Sequence, residues 1–189
     1  MDFMKRIFDI VLSFAALLAL GAPILLVALA VKLTTRGPVL YWSDRVGRNN
    51  AIFKMPKFRT MRVDTPPMAT HLMTEPDRFL TPLGGFLRKT SLDELPQLFS
   101  ILRGDMSFVG PRPALFNQDD LITLRTAKGV HRITPGLTGW AQVNGRDDLA
   151  IPVKVEYDEF YLKHRSFAFD VKILFMTAAQ AVTGKGVRH

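Results

Sequence analysis

The amino-acid sequence predicts a mostly α-helical, membrane-associated protein with a small β-hairpin or sheet. Residues 10–31 contain no charged side chain, and as a helix they would extend about 33 Å, enough for the roughly 30 Å hydrocarbon core of a bilayer. Helix start and stop signals dominate the rest of the chain, whereas extended segments are few and short. With 189 residues, 48% of them hydrophobic, the chain is long enough for one domain and an appendage. We therefore predict a membrane-embedded segment over residues 1–36 and a globular domain over residues 37–189.

The composition excludes several classes of protein. The absence of cysteine excludes a disulfide scaffold, a thiolate zinc site and a cysteine nucleophile. A net charge of +8 is typical of proteins that bind nucleic acid, an acidic membrane face or a phosphorylated substrate. Most of this excess lies between Lys32 and Arg62, where eight basic residues accompany one acid, Asp44. This basic cluster directly follows the apolar segment, so it would lie beside a lipid surface.

The apolar segment carries a helix-breaking residue near its centre. Pro23 removes a backbone hydrogen bond and favours a kink. Basic residues flank the segment on both sides, Lys5 and Arg6 before it and Lys32 and Arg36 after it, so the positive-inside rule gives no orientation. These features favour a re-entrant helix that bends at Pro23 and keeps both flanks on one face of the membrane. A single spanning anchor and a cleaved signal peptide are the alternatives.

Two extended segments, residues 39–42 and 52–61, predict the small sheet. Pro56 lacks a backbone N–H, which restricts any strand there to a sheet edge. Residues 63–78 contain three prolines and no helical or strand period, so they predict a surface loop.

The remaining elements are predicted as helices from their boundary residues. Thr81-Pro82 is typical of a helix start. For a helix over residues 93–103, Asp93 is predicted as the N-cap, because Pro96 fits only in a first turn, and Gly104 as the terminator. Further helices are predicted at residues 117–128, 152–165 and 169–182.

Residues 87–98 combine basic and acidic side chains in a pattern that two interpretations explain. Ser91 and Glu94 match a capping box, and acids are common at helix N-termini. Alternatively, an ionised Asp93 close to Arg88 could act as a nucleophile toward phosphorus, which would require a divalent cation to neutralise phosphate oxygens. Neighbours in sequence do not face each other on a helix, so Asp93 and Glu94 are expected to have different roles.

Two later segments are further candidate sites. In residues 107–113, Arg112 lies between two prolines, which is typical either of a rigid turn with a solvated arginine or of a preorganised phosphate ligand. Residues 135–146 contain Trp140, an Asn-Gly turn signal and Arg146. This pattern is typical either of a tight hairpin with a core tryptophan or of a surface that binds a nucleotide or sugar.

Other polar residues predict no additional site. The four histidines show no ligand spacing, so a zinc site is not expected. The chain has neither a Walker A loop nor a GxGxxG motif, which are the usual signatures of nucleotide-binding loops. Glu156, Asp158 and Glu159, on the helix predicted at residues 152–165, are interpreted as a solvated face.

Taken together, these segments resemble one family, the bacterial sugar transferases known as monotopic phosphoglycosyl transferases. The similarity extends over essentially the whole chain and is to the small form that consists of the catalytic core. Its motifs, in order, are KRIFD near the N-terminus, the proline-broken apolar helix, KFRTM at 57–61, TSLDELPQL at 90–98, FVGPRP at 108–113 and PGLTGWAQVNGR at 135–146. One departure is Ala22 before Pro23, where the family often has serine.

The resemblance implies a membrane enzyme at the cytoplasmic face of the bacterial inner membrane, with a re-entrant helix and with interfacial helices around a catalytic domain. It would transfer a sugar 1-phosphate from a UDP-sugar to polyprenyl phosphate, such as undecaprenyl phosphate, and release UMP. By the same resemblance, Asp93 is the nucleophile and a Mg²⁺ ligand, and Glu94 is its partner. Phosphate or substrate binding is expected of Arg112, Arg88, Lys57, Arg59 and Arg146.

A non-enzymatic membrane adaptor with a basic lipid-binding surface is the alternative function. Nucleic-acid binding is not expected, because the basic cluster is tethered to the bilayer. Membrane lipids are expected partners of both the enzyme and the adaptor. The two functions differ in one observable, since only the enzyme releases UMP from a UDP-sugar.

Overall fold

The computed structural model describes residues 2–65, 76–145 and 149–183. Its elements in chain order are α1 (Asp2–Thr34), β1 (Leu40–Val46), β2 (Ile52–Phe58), α2 (Gly84–Lys89), α3 (Gln97–Arg103), β3 (Ser107–Val109), α4 (Asp119–Ala127), β4 (Gly136–Thr138), α5 (Trp140–Val143), α6 (Ile151–His164) and α7 (Phe167–Thr183). Short 3₁₀ segments include Pro76–Phe79, Leu92–Glu94 and Val130–Arg132. The described chain is mostly helical with two small sheets, which confirms the predicted fold class at that level.

The N-terminal helix α1 is 33 residues long, and its stretch Phe3–Thr34 is long and apolar enough to cross a membrane. The apolar side chains that it exposes most are Phe3, Met4, Val11, Phe14, Leu18, Leu25, Leu26, Leu29 and Leu33. The helix is continuous through Pro23, so the kink and the re-entrant path stay predictions.

Part of the basic cluster lies on an antiparallel hairpin, which agrees with the predicted small hairpin or sheet. Strands β1 and β2 pair antiparallel, with Tyr41 opposite Lys57. The turn between them holds Asn49 and Asn50 at φ angles of 56° and 59°, a left-handed conformation that asparagine tolerates better than most residues. Pro56 is accommodated in β2 because each strand of a two-stranded sheet has a free edge.

The second sheet is absent from the sequence-based prediction. Strands β3 and β4 pair in parallel, with Ser107 opposite Gly136. The hairpin expected at Asn144-Gly145 is wrong, because the chain there leaves the short helix α5, which itself follows β4. The two strands approach so closely that a Cβ on Gly136 would lie 2.1 Å from the backbone nitrogen of Gly110. Only glycine fits at this position of β4.

The predicted helices are present, but two of their starts need correction. Helix α2 begins at Gly84 and not at Thr81-Pro82. Helices α4, α6 and α7 lie close to their predicted bounds. Asp93, however, does not cap a helix over residues 93–103: it belongs to a separate 3₁₀ turn, and α3 begins only after Pro96. The capping-box interpretation is also wrong, because Ser91 makes no side-chain cap hydrogen bond and the Glu94 carboxylate bonds to cations elsewhere in the chain.

The hydrophobic core joins α1 to the globular part of the chain. Its buried members include Leu98, Ile101, Met106, Val109, Tyr161 and Ile173, and the first half of α1 packs against them through Leu12, Ala16, Leu17 and Leu20. Within α1, Asp9 is only 3% exposed and accepts hydrogen bonds from the Ser107 hydroxyl and the Phe108 amide, both at 3.1 Å. One face of the N-terminal half of α1 therefore packs against the globular part of the chain.

Candidate active site

Asp93 and Glu94 lie in the one-turn 3₁₀ segment between α2 and α3. Ser91, with a φ of 56°, takes the left-handed conformation at the start of this turn. Both carboxylates are largely buried, with side-chain exposures of 10% for Asp93 and 14% for Glu94. In so little solvent, neighbouring charges act on them strongly.

Glu94 is held by two cations from distant parts of the chain. Its Oε1 accepts hydrogen bonds from Lys57 Nζ at 2.8 Å and from Arg112 Nη2 at 3.0 Å. Burial alone would raise the pKa of Glu94, but Lys57 and Arg112 outweigh it and hold this pKa well below its ordinary range. Glu94 is therefore ionised at neutral pH, and it fixes the two cations in place.

Asp93 is arranged differently from its neighbour. Among the residues that the structure describes, none donates a hydrogen bond to its carboxylate, and Lys57 Nζ lies 4.0 Å from Oδ2. Burial raises the pKa of Asp93 above its ordinary value, and the charges of Lys57, Arg88 and Arg112 oppose that rise. The two adjacent acids thus have different environments: Glu94 accepts hydrogen bonds from two cations, whereas Asp93 accepts none from the described residues.

Arg88 on α2 lies close enough to Asp93 for their charges to interact. Its Nε donates to the Thr60 hydroxyl at 3.0 Å, which orients the guanidinium. Burial lowers the pKa of Arg88, and the charge of Asp93 opposes that shift. Thr60 was missed by sequence reasoning, although it belongs to the KFRTM segment at 57–61.

Arg59 is placed away from these acids. It is 5% exposed, and its Nη1 and Nη2 donate to the Arg36 carbonyl and the Thr35 hydroxyl, each at 2.6 Å. These acceptors follow the end of α1. Arg59 was expected from the family resemblance to bind phosphate. In the structure its terminal nitrogens instead bind residues just after the end of the apolar helix.

Arg112 lies in a loop, residues 110–114, whose backbone makes hydrogen bonds to several other segments of the chain. The Gly110 amide donates to the Thr138 carbonyl at 2.9 Å, and the Pro111 carbonyl accepts from the Gly136 amide at 2.9 Å. The Arg112 carbonyl accepts from Arg125, and the following carbonyls accept from Arg45 and the Val46 amide. This loop, which we call the Arg112 loop, is the rigid support predicted from its two prolines.

Trp140 lies outside this group of charges. Its ring stacks on Phe160 at a centroid distance of 5.9 Å and contacts Phe169 at 5.0 Å, and the ammonium of Lys172 lies 5.7 Å from its centroid. Trp140 is thus partly buried against the hydrophobic core, as the core-tryptophan interpretation expects. Arg146 lies outside the described residues, so its substrate-binding role stays a prediction.

Asp93 and Glu94 differ in how well they could bind Mg²⁺. The described residues contain no group of three or more metal-ligating side chains. Mg²⁺ is commonly bound by one or two carboxylates while waters and substrate phosphates complete the shell. Asp93, with no hydrogen bond to its carboxylate from the described residues, fits that mode, whereas Oε1 of Glu94 is already occupied by Lys57 and Arg112.

Comparison with known proteins agrees with the resemblance seen in the motifs. The model of the bacterial sugar transferase family matches residues 1–184. An undecaprenyl-phosphate glucose phosphotransferase of Komagataeibacter xylinus is 40% identical over 94% of this chain and 36% of its own length. A UDP-glucose:undecaprenyl-phosphate glucose-1-phosphate transferase of Escherichia coli is 39% identical over 96% of this chain and 41% of its own length.

A shorter relative matches over nearly its whole length. The uncharacterized sugar transferase EpsL of Bacillus subtilis is 38% identical over 98% of this chain and 91% of its own length. The chain thus spans less than half of the first two relatives and nearly all of the third. The family model covers almost all of the sequence, and the chain therefore belongs to the bacterial sugar transferase family.

Proposed function

We propose that this chain transfers a sugar 1-phosphate from a UDP-sugar to polyprenyl phosphate and releases UMP, through a phosphosugar bound covalently to Asp93. The observation that carries the proposal is the contrast between the two acids. Glu94 is locked between Lys57 and Arg112, while the buried carboxylate of Asp93 accepts no hydrogen bond from the described residues. A carboxylate in this state is suited to attack phosphorus. Two of the relatives are named as transferases that use undecaprenyl phosphate.

In the first step, an Asp93 carboxylate oxygen forms a bond to the β-phosphorus of the UDP-sugar. The bond from that phosphorus to the bridging oxygen breaks, and UMP leaves with the electron pair. In the second step, a phosphate oxygen of polyprenyl phosphate attacks the same phosphorus. The bond to Asp93 breaks, which regenerates the carboxylate and gives polyprenyl diphosphosugar.

The cations around the acids have a defined role in this scheme. Lys57 and Arg112, held by Glu94, and Arg88, oriented by Thr60, present positive charge toward a buried site. Such fixed charges stabilise phosphate oxygens without reorganising during the reaction. In the proposal, Mg²⁺ held by Asp93 and the diphosphate would neutralise further charge on the donor.

The scheme requires the site to lie at a membrane surface, and we propose a re-entrant α1 at the cytoplasmic face. At one end of α1, Arg6 donates to the carbonyls of Ile101 and Leu102. Beyond the other end, Thr35 accepts from Arg59. A straight helix of this length would extend about 50 Å, and crossing a bilayer would place its ends on opposite sides. Attachment of both ends to one domain supports a path that does not cross the bilayer, and Pro23 is the position at which we propose the bend.

The basic cluster supports the same placement. Basic side chains near an anionic membrane surface contribute about 1 kcal/mol each to binding. Part of the cluster lies on the hairpin of β1 and β2, and Lys57 on β2 reaches the candidate site. The surface that contacts the membrane and the site that binds phosphate would therefore lie next to each other. This arrangement is needed because the acceptor, polyprenyl phosphate, is embedded in lipid.

Cysteine labelling tests the path of α1. The chain has no native cysteine, so Met4→Cys and Arg36→Cys each introduce a single thiol on an exposed residue near one end of the helix. In sealed membrane vesicles, we expect a membrane-impermeant maleimide to label both variants from the same side. Labelling from opposite sides would show that α1 crosses the bilayer.

The pH dependence of UMP release tests the state of Asp93. Protonation removes the attacking carboxylate, so the rate is lost as the pH falls through the pKa of Asp93. Mg²⁺ is kept at one concentration in all variants, because a bound cation lowers this pKa. Lys57 opposes the rise in the pKa of Asp93. Lys57→Met therefore raises that pKa further, and the acid limb of the pH profile is expected to shift to higher pH.

The measurement uses a single turnover with enzyme in excess and no polyprenyl phosphate, because a phosphate monoester itself titrates near pH 6. Lys54→Met is the matched control, since Lys54 lies on the same strand but pairs with Asp44 and has a 63% exposed side chain. We expect no shift in that variant. An acid limb that stays in place or moves to lower pH in Lys57→Met would contradict the assignment.

The proposed function is tested by incubating the membrane-bound protein with individual UDP-sugars and undecaprenyl phosphate. We expect UMP and a polyprenyl diphosphosugar from at least one donor. If no donor gives UMP while the protein still binds vesicles of acidic lipid, the transferase proposal is wrong and the adaptor function is favoured.

A further inference from the structure

A buried ion pair outside the acid group connects α4 to α6. Arg125 on α4 donates through Nε and Nη2 to Oδ2 of Asp158 on α6, at 2.9 and 2.6 Å. Arg125 is 8% exposed and Asp158 1% exposed. The expectation that Asp158 belongs to a solvated face is therefore wrong: α6 turns this acid inward, while Glu156 on the same helix is exposed.

Packing of two helices does not require such a pair. Removing two charges from water is costly, and apolar side chains of similar volume often serve a helix contact equally well. A third contact of Arg125 connects the ion pair to the candidate site. Its Nη1 donates to the Arg112 carbonyl at 2.8 Å, so one guanidinium bridges Asp158 and the Arg112 loop.

The bonded carbonyl belongs to the residue whose side chain reaches the acids. Arg112 Nη2 lies 3.0 Å from Glu94 Oε1. Because Pro111 and Pro113 restrict the backbone on both sides, a displacement of the Arg112 carbonyl displaces its side chain as well. Asp158, Arg125, Arg112 and Glu94 are thus linked in one continuous series of contacts.

We infer that Arg125, oriented by Asp158, is a positioning residue that places the Arg112 guanidinium for phosphate binding. The inference deepens the proposed function and rests on it. Arginine is needed at this position because its planar fork can donate to a carboxylate and to a carbonyl at the same time. A lysine ammonium keeps the charge but cannot reproduce that fork geometry.

A second ion pair between the same regions supplies the control. Lys128, at the end of α4, pairs with Glu159 on α6 at 3.1 Å. The side chain of Lys128 is 51% exposed, and the pair does not contact the Arg112 loop. Lys128→Gln removes a contact between the same helices without touching the Arg112 carbonyl.

The experiment compares UMP release by wild type, Arg125→Lys and Lys128→Gln in single turnovers at several UDP-sugar concentrations. We expect Arg125→Lys to lower kcat/KM by roughly 10- to 100-fold, since a displacement of about 1 Å far from the reacting atoms can cost that much. Lys128→Gln is expected to stay within about 2-fold of wild type. Asp158→Asn, which keeps the shape of the side chain, is the second variant and is expected to show a smaller loss in the same direction.

A double-mutant cycle with Arg112→Ala separates positioning from a general structural role. Once the Arg112 guanidinium is absent, its placement is irrelevant, so Arg125→Lys is expected to cause less than about a 2-fold further loss in that background. An equal loss in both backgrounds would overturn the inference, and so would wild-type kcat/KM in Arg125→Lys. These outcomes differ from failure of the proposed function, in which wild type itself releases no UMP.

Discussion

Asp93→Asn is expected to reduce UMP release from a UDP-sugar by at least about 10⁴-fold, because it replaces the attacking carboxylate with a neutral amide of the same shape. The loss is expected in the first half-reaction, measured with UDP-sugar alone, as well as in full turnover. Since Asp93 accepts no hydrogen bond from the described residues, the amide breaks no such contact. The variant is therefore expected to fold and to reach the membrane fraction.

The control for this substitution is Asp64→Asn. Asp64 pairs with Arg62, its side chain is 61% exposed, and we expect wild-type rates from that variant. Thermal unfolding of both variants separates loss of chemistry from loss of fold. UMP release by Asp93→Asn at a rate near that of wild type would exclude Asp93 as the nucleophile.

Arg112→Ala is expected to lower kcat/KM by roughly 100- to 1,000-fold, the usual effect of deleting one fixed donor to a developing charge. The backbone of the Arg112 loop is held by its own hydrogen bonds, so truncation of the side chain leaves the loop in place. Glu94 keeps Lys57 as a partner. Arg112→Lys is expected to recover only part of the rate, because an ammonium cannot bind phosphate through a planar fork.

Arg103→Ala is the matched control for Arg112. Arg103 pairs with Asp105 and has a 56% exposed side chain, so its removal is expected to leave kcat/KM within about 2-fold of wild type. Steady-state rates over a range of UDP-sugar concentrations give the comparison. If Arg112→Ala and Arg103→Ala have the same rate, Arg112 does not take part in the reaction.

The sequence predicts the acids of the site better than their surroundings. Asp93 and Glu94 are adjacent, and nearby bases and a proline-restricted turn mark their segment. The partners of Glu94 are separated from it by 37 residues for Lys57 and 18 for Arg112, and no local pattern encodes contacts of that kind. Arg59 is a further example: the family resemblance implies phosphate binding, whereas its terminal nitrogens donate to Arg36 and Thr35, just after the end of α1.

The fold shows the same division between local and distant signals. Helices with clear boundary residues, such as α4 and α6, are close to their predicted bounds. The parallel pairing of β3 with β4 involves three-residue strands that are far apart in sequence, so periodicity cannot reveal it. The solvated position predicted for Asp158 is wrong for a related reason. A charged residue on a helix is usually solvated, and the burial of Asp158 depends on its partner Arg125, which is 33 residues away.

The most direct measurement is mass spectrometry of the protein after incubation with a UDP-sugar in the absence of polyprenyl phosphate. We expect an added mass equal to one sugar phosphate, located by peptide mapping on Asp93, and its disappearance when polyprenyl phosphate is supplied. An adduct on another residue, or product formation without any adduct, would contradict it.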